Sequence, residues 1–337
     1  MSLLPFLHRA AASADLSFDQ AYQAMCVLLE GHASETQIAA FLVALHMKGE
    51  TALELAGFAR AMRERMVVVD AGPDVIDTCG TGGDGAGTFN ISTVAAFVMA
   101  GAGARVAKHG NRSLSTSSGS ADVLEALGVR IALTPEEAAH AVREIGIGFL
   151  FAPHLHPAMK HAQPVRRDLK MRTVFNLLGP LANPAHAQAQ LIGAPSTDAA
   201  RLMAEALVEL GTGRAFVVHG HDGLDEITTT SSTDVYEVTG GHVEYHVWSP
   251  SDFGVPRATL DQLSGGNPAH NAGIARQILS GDPGPPRDIV VVNAAAGLVA
   301  AGLAADLRAG VQQAAASIDS RAALEKLERL REAFPLV

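Results

Sequence analysis

Few cysteines, few aromatic residues and few basic residues set the first limits on this chain. Of its 337 residues only two are cysteine, Cys26 and Cys79. Two thiols cannot build a disulfide framework, so a buried core must hold the fold together. One tryptophan and an aromatic content of 5% leave the 48% hydrophobic residues mostly aliphatic, rich in alanine and glycine, which suits closely packed helices. Against 35 acidic residues there are only 25 Lys and Arg, a net charge of −10. That balance excludes electrostatic nucleic-acid binding over the whole surface but leaves room for a local cationic pocket. A long uncharged run, Ile289 to Ala305, is interrupted by Asn293 and two glycines. It reads as a buried strand over Ile289–Val292 followed by a helix, not as a membrane span. Met1 to Leu7 has no basic leader signature, so the cytoplasm is the expected location. Internal repeats and low-complexity tracts are lacking too.

What is present is concentrated in residues 77–93, DTCGTGGDGAGTFNIST. Five glycines (Gly80, Gly82, Gly83, Gly85 and Gly87) lie between a strand-like lead-in, Val75-Ile76-Asp77, and a helix-forming run, Val94 to Met99. A loop without Cβ atoms can turn several N–H groups toward one anion. The helix start behind it, with Asn90, Ser92 and Thr93, adds unpaired N–H groups and a positive dipole end. The pattern predicts a phosphate site. A G-x-G-x-x-G match (Gly80, Gly82, Gly85) is weak alone, and the next strand-like stretch, Ala104–Ala107, ends in Lys108 where a dinucleotide fold wants an acid. The Walker pattern fails for want of Gly-Lys-Ser/Thr. Asp84 repels phosphate unless a cation lies between, so the loop points to phosphate with a metal, or to a developing cation. A ligand-free strand–helix turn is the bland alternative.

A second polar cluster, Lys108 to Ser113 and Ser115 to Asp122, follows the next strand and shares its carboxyl edge with the first. Ser17-x-x-Gln20, Ser34-x-x-Gln37 and Thr51-x-x-Glu54 are capping boxes that predict a helical first seventy residues. From Val75 on, strands alternate with helices. Thr134-Pro135 opens a helix, Leu191–Gly193 and Phe216–Val218 are strands, and a helix starts near Thr197 and ends at Gly211. Val235–Val238 and Val243–Val247 form a hairpin across Gly240-Gly241. The class is α/β with a mostly parallel central sheet flanked by helices, plus a small N-terminal helical domain. The boundary falls at Ala71-Gly72-Pro73, giving domains 1–72 and 73–337.

GTGGDGAGTFNIST, KHGNR with SGSADVLEALGV, HPAMK with PVRRDL, RTVFNLLGPLANP and GLDEIT occur in that order. Together they resemble the anthranilate phosphoribosyltransferases over nearly the whole chain. The resemblance implies a glycosyltransferase (pentosyltransferase) of tryptophan biosynthesis that moves a phosphoribosyl group from phosphoribosyl pyrophosphate to anthranilate. It implies Mg²⁺ as cofactor, a homodimer through the helical domain, part of 160–187 joining that domain, and a substrate cleft between domains. By resemblance Gly80, Gly83, Asp84, Thr88, Asn90, Ser92, Thr93, Lys108 and Ser120 contact phosphoribosyl pyrophosphate. Gly80, His109, Asn111, Arg166, Gly179 and Pro180 surround anthranilate, with Arg166 preferred to Arg167 for its carboxylate. Ser92, Asp225 and Glu226 hold the metal, adjacent carboxylates being suited to a hard cation. No residue is expected to act as a general acid or base, since an aromatic amine is already neutral. One departure is Lys170-Met171, where the family often has Gly and a β-branched residue. A nucleoside phosphorylase of the same architecture and a nucleic-acid-binding paralogue are the competing readings. His154-x-His156 with His161, and His219-Gly220-His221-Asp222, lack the closed ligand set of a zinc site.

Overall fold

The computed structural model describes residues 2–113 and 117–336. Four helices come first: α1 Leu4–Ala11, α2 Phe18–Leu29, α3 Glu35–Lys48 and α4 Ala52–Arg65. All three expected capping boxes form, each pairing a hydroxyl and a carboxamide or carboxylate with backbone N–H groups at the helix start. Glu54 does more than cap. Fully buried, it accepts from the N–H of Leu16 and of Thr51 and pairs with Lys48 at 2.8 Å. A buried carboxylate is tolerated only when so partnered, and here it ties three parts of the bundle together. Phe41 and Phe58 meet edge to face at 6.2 Å in the bundle core. Two later helices, Gln163–Leu169 and Phe175–Leu181, pack against α3 and α4, and Val165, Phe175 and Leu178 belong to the same apolar cluster.

Seven strands form one sheet: β1 Val75–Gly80, β2 Arg105–Gly110, β3 Ile147–Phe151, β4 Ala189–Gly193, β5 Arg214–Gly220, β6 Thr233–Thr239 and β7 His242–Trp248. Their order is β3-β2-β1-β4-β5-β6-β7. The first five are parallel and the last two antiparallel, so the expected α/β class with a mostly parallel sheet holds. The β6–β7 turn rests on Gly240 and Gly241 at φ +57° and +81°, the left-handed pair that such a hairpin demands. β3, a short apolar run, has no counterpart among the strands expected from the sequence. The strand order reverses between β1 and β4. A doubly wound sheet opens a crevice there, beyond the carboxyl ends of the strands. Among the described residues no helix is long and apolar enough to cross a membrane.

One expectation is overturned. Ile289–Val292 is not a strand but part of a helix, Pro285–Ala300. Prolines at its first turn start it, and from Ile289 to Ala300 every residue is buried. A helix buried all round has no polar face, so periodicity cannot separate it from a buried strand. Its central polar residue, Asn293, accepts from the Ile227 N–H at 3.0 Å and donates to the Ile227 carbonyl at 2.9 Å. That clamp anchors the chain right after Asp225-Glu226. Asn293→Ala leaves both Ile227 groups buried and unpaired. We expect a loss of about 2–4 kcal/mol, measured by denaturant unfolding against wild type.

Candidate active site

Gly80 ends β1 and lies in register with Gly193, which ends β4. Both must be glycine because Asp225 comes up against them. A Cβ on Gly80 would overlap the Asp225 carboxylate, and one on Gly193 would overlap its carbonyl oxygen. The loop beyond β1 turns through Gly82, Gly83, Gly85 and Gly87, with φ of +69°, +75°, +73° and +68°. The Gly82 N–H donates to Asp225 Oδ2 at 2.7 Å. Asp84 accepts locally from the Ala86 N–H, and Thr88 forms an isolated bridge with Ser264.

The next helix, α5, spans Ile91–Gly101. Its start is less vacant than the sequence predicts, because Glu226 Oε1 accepts the Ser92 N–H at 3.1 Å and the Thr93 N–H goes to the Asn90 carbonyl. A carboxylate at this end is favoured by the helix dipole. Asn90 does not cap with its own side chain. It donates to the Ser118 carbonyl and accepts from Ser118 and Asn271, fixing the far side of the loop.

Lys108, 2% exposed at the end of β2, donates to the Thr78 carbonyl at 2.5 Å and to the Ser92 hydroxyl at 3.3 Å. Burial pushes its pKa down, while Asp77, Cys79 and Glu226 oppose that shift. Burial, reinforced by the charge of Asp84, lifts the Asp225 carboxyl to about 7. Burial and then the Asp225 charge drive Glu226 well above its ordinary value. Carboxylates gathered at this edge with one buried lysine lack positive charge. All their donors are hard oxygens, Ser92 Oγ among them, and that set fits a divalent cation such as Mg²⁺.

On the other side of β2, His109 is buried. Its backbone N–H donates to Asp77 and its ring Nδ1 faces the Gly179 carbonyl at 3.1 Å. The neutral ring therefore carries its proton on Nδ1. His156 lies 5.0 Å away, centroid to centroid, and Nε2 of both rings has no partner. Burial pulls their pKa values down to about 3 and about 4. Pro180 is buried, its carbonyl accepting from Gln190 at 2.8 Å. Half-buried Arg166 has its guanidinium 5.2 Å from the Phe175 ring centroid, and burial lowers its pKa. Asn111 is exposed; its Oδ1 accepts from the Arg112 N–H and its carbonyl accepts the Ser120 hydroxyl. Ser115 and Thr116 of the second polar cluster lie outside the described residues. Lys170, at the departure noted above, adopts φ +49°, a conformation that glycine takes at less cost.

Asp77, His156, Arg172, Asn183 and Asn271 also shape this region, and sequence reasoning did not single them out for it. Asp77 sits in a strand, where an acid directly after the apolar Val75-Ile76 was the available signal. For Asn271 no local signal exists, since its partner Asn90 is 181 residues away. The other histidine pattern scatters: His221 pairs with Asp234, and His219 faces the Ala194 carbonyl.

The two buried histidines predict a pH dependence. Neutral in the fold but near 6.5 when unfolded, they contribute stability that is complete above that pH and is lost as pH falls toward 4 and 3. The slope is about 1.4 kcal/mol per pH unit for each histidine. In His156→Gln the melting temperature should therefore fall less steeply than wild type between pH 6 and pH 5.

A glycine loop, a buried lysine and a carboxylate pair at the switch point of a parallel sheet, with a helical bundle beside it, define a class of glycosyl-transferring protein. The helical bundle domain of the glycosyl transferase family matches residues 4–66, and the family's α/β domain matches residues 72–324. An anthranilate phosphoribosyltransferase of Solibacter usitatus is 59% identical over 98% of both chains. One from Symbiobacterium thermophilum is 52% identical, over 97% of this chain and 96% of that one. The crystal structure of the Thermus thermophilus enzyme superposes with a TM-score of 0.92 at 44% identity, covering 97% of this chain and 98% of that one. The Saccharomyces cerevisiae enzyme in complex with PRPP and Mg superposes at 0.89 with 29% identity, covering 98% and 97%. The chain belongs to the anthranilate phosphoribosyltransferase family.

Proposed function

We infer that this protein transfers the phosphoribosyl group of phosphoribosyl pyrophosphate to the amine of anthranilate, in L-tryptophan biosynthesis. The products are N-(5-phosphoribosyl)anthranilate and pyrophosphate. Family membership supports this. The observation that carries it is the meeting, at one sheet edge, of the left-handed glycine loop, buried Lys108 and Asp225-Glu226. In the reaction the anomeric C–O bond breaks and pyrophosphate leaves. The anthranilate nitrogen forms the new C–N bond and then releases its proton.

Gly80, Gly83, Asp84, Thr88, Asn90, Ser92, Thr93, Lys108 and Ser120 hold the phosphoribosyl pyrophosphate, and Lys108 supplies a compact positive charge. Ser92, Asp225 and Glu226 hold Mg²⁺, which neutralises the leaving pyrophosphate when bound. Arg166 takes the anthranilate carboxylate with its guanidinium fork, and Gly80, His109, Asn111, Gly179 and Pro180 shape the space around the ring. The site works by placing the amine behind the anomeric carbon and stabilising charge there. We take residues 1–72, with part of 160–187, as the helical domain and 73–337 as the domain that binds phosphoribosyl pyrophosphate, in a cytoplasmic homodimer.

Loss of anthranilate fluorescence with phosphoribosyl pyrophosphate, with and without Mg²⁺, tests the reading. Rapid Mg²⁺-dependent loss is expected. No loss from folded protein would overturn it and turn attention to nucleoside phosphorolysis.

A further inference from the structure

We infer that Arg172 is a positioning residue that aims the amides of the glycine loop at the pyrophosphate of the substrate. The inference rests on the function proposed above. Arg172 leads out of the turn between helices Gln163–Leu169 and Phe175–Leu181. Its Nη1 donates to the Gly83 carbonyl and its Nη2 to the Gly82 carbonyl, both at 3.1 Å. One planar fork thus spans two consecutive peptide groups.

The stereochemistry of the peptide carries the argument. In a trans peptide the carbonyl and the following N–H point to opposite sides. With the carbonyls of Gly82 and Gly83 turned toward Arg172, the N–H groups of Gly83 and Asp84 face away from it. Two successive N–H groups aimed the same way make a concave anion site. Gly82 and Gly83, at φ +69° and +75°, hold turn conformations that are open mainly to glycine. The N–H of Gly82 itself is already taken by Asp225, so the loop is held from two sides. Without Arg172 one of those sides is free, and two carbonyls are at liberty to rotate into the space meant for phosphate.

The same side chain links the two halves of the reaction. Arg172 belongs to the segment that carries Arg166, six residues earlier, whereas its hydrogen bonds lie 89 and 90 residues away. The charge of Arg172 also opposes the upward shift of the Asp225 carboxyl, in keeping with its place beside the loop. A lysine cannot replace the fork, because a single ammonium on a flexible stem does not fix two carbonyls at once.

Arg172→Met and Arg172→Lys test this, with wild type beside them. The readouts are steady-state kinetics, calorimetric titration with Mg²⁺-pyrophosphate, and amide order of Gly82 and Gly83 in glycine-labelled, ligand-free protein by NMR. Arg172→Met should raise KM for phosphoribosyl pyrophosphate tenfold or more, leave that for anthranilate within twofold, and loosen both glycine amides before any ligand is added. Arg172→Lys should recover only part of the loss, and it carries the test if the methionine variant does not fold. Wild-type KM and wild-type amide order in the variants would overturn the inference. So would weakened pyrophosphate binding with unchanged amide order, which would make Arg172 a direct ligand contact. An inactive wild type would instead refute the proposed function, and the amide order with the pyrophosphate titration would still decide the role of Arg172.

Discussion

Asp225→Asn combined with Glu226→Gln should cut turnover by roughly 10²- to 10³-fold, the range typical of losing a preorganised electrostatic contact to a developing charge. The residual rate should no longer respond to Mg²⁺. Amide side chains keep an acceptor oxygen for the N–H groups of Gly82 and Ser92, so the local hydrogen bonds survive the substitution. What is lost is charge. In the absence of metal those charges are unfavourable, because both carboxyls are buried, raised in pKa and repelling each other. The double variant should therefore melt no lower than wild type in metal-free buffer, while Mg²⁺ should raise the melting temperature of wild type alone. Ordinary Mg²⁺ titration behaviour in the variant would remove these residues from the metal assignment.

Arg166→Ala should raise KM for anthranilate about 10- to 100-fold, which corresponds to the roughly 1.5–3 kcal/mol of a hydrogen bond to a charged group. KM for phosphoribosyl pyrophosphate should change far less. The guanidinium lies over Phe175 and is half-buried, so it is held in place before any carboxylate arrives. Burial without a charge partner is costly for a cation, and an incoming carboxylate relieves that cost. Initial-rate measurements with each substrate varied separately check this. Equal effects on both constants, or none on either, would move the carboxylate elsewhere.

Much of this site is legible along the chain because its parts are local. The glycines beyond β1 announce their left-handed turns, Lys108 ends an apolar strand, and Asp225-Glu226 stand together. The capping boxes at Ser17, Ser34 and Thr51 and the Gly240-Gly241 turn are equally local, and all of them form as the spacing predicts. Two elements were not legible for one reason. Ile289–Val292 and Ile147–Phe151 are apolar on every side, and a buried segment carries no period to tell helix from strand.

By itself the sequence determined the class of fold, the glycine-rich loop and the chemical types available at the site. These follow from side-chain volume, backbone freedom and capping within a few residues. Only the tertiary structure decided which groups meet. Asp225 reaches Gly82 across 143 residues, Glu226 reaches Ser92 across 134, and Arg172 reaches Gly82 across 90. The physical reason is the strand order. Placing β4 beside β1 brings the ends of distant segments to one edge, where burial then shifts their charges.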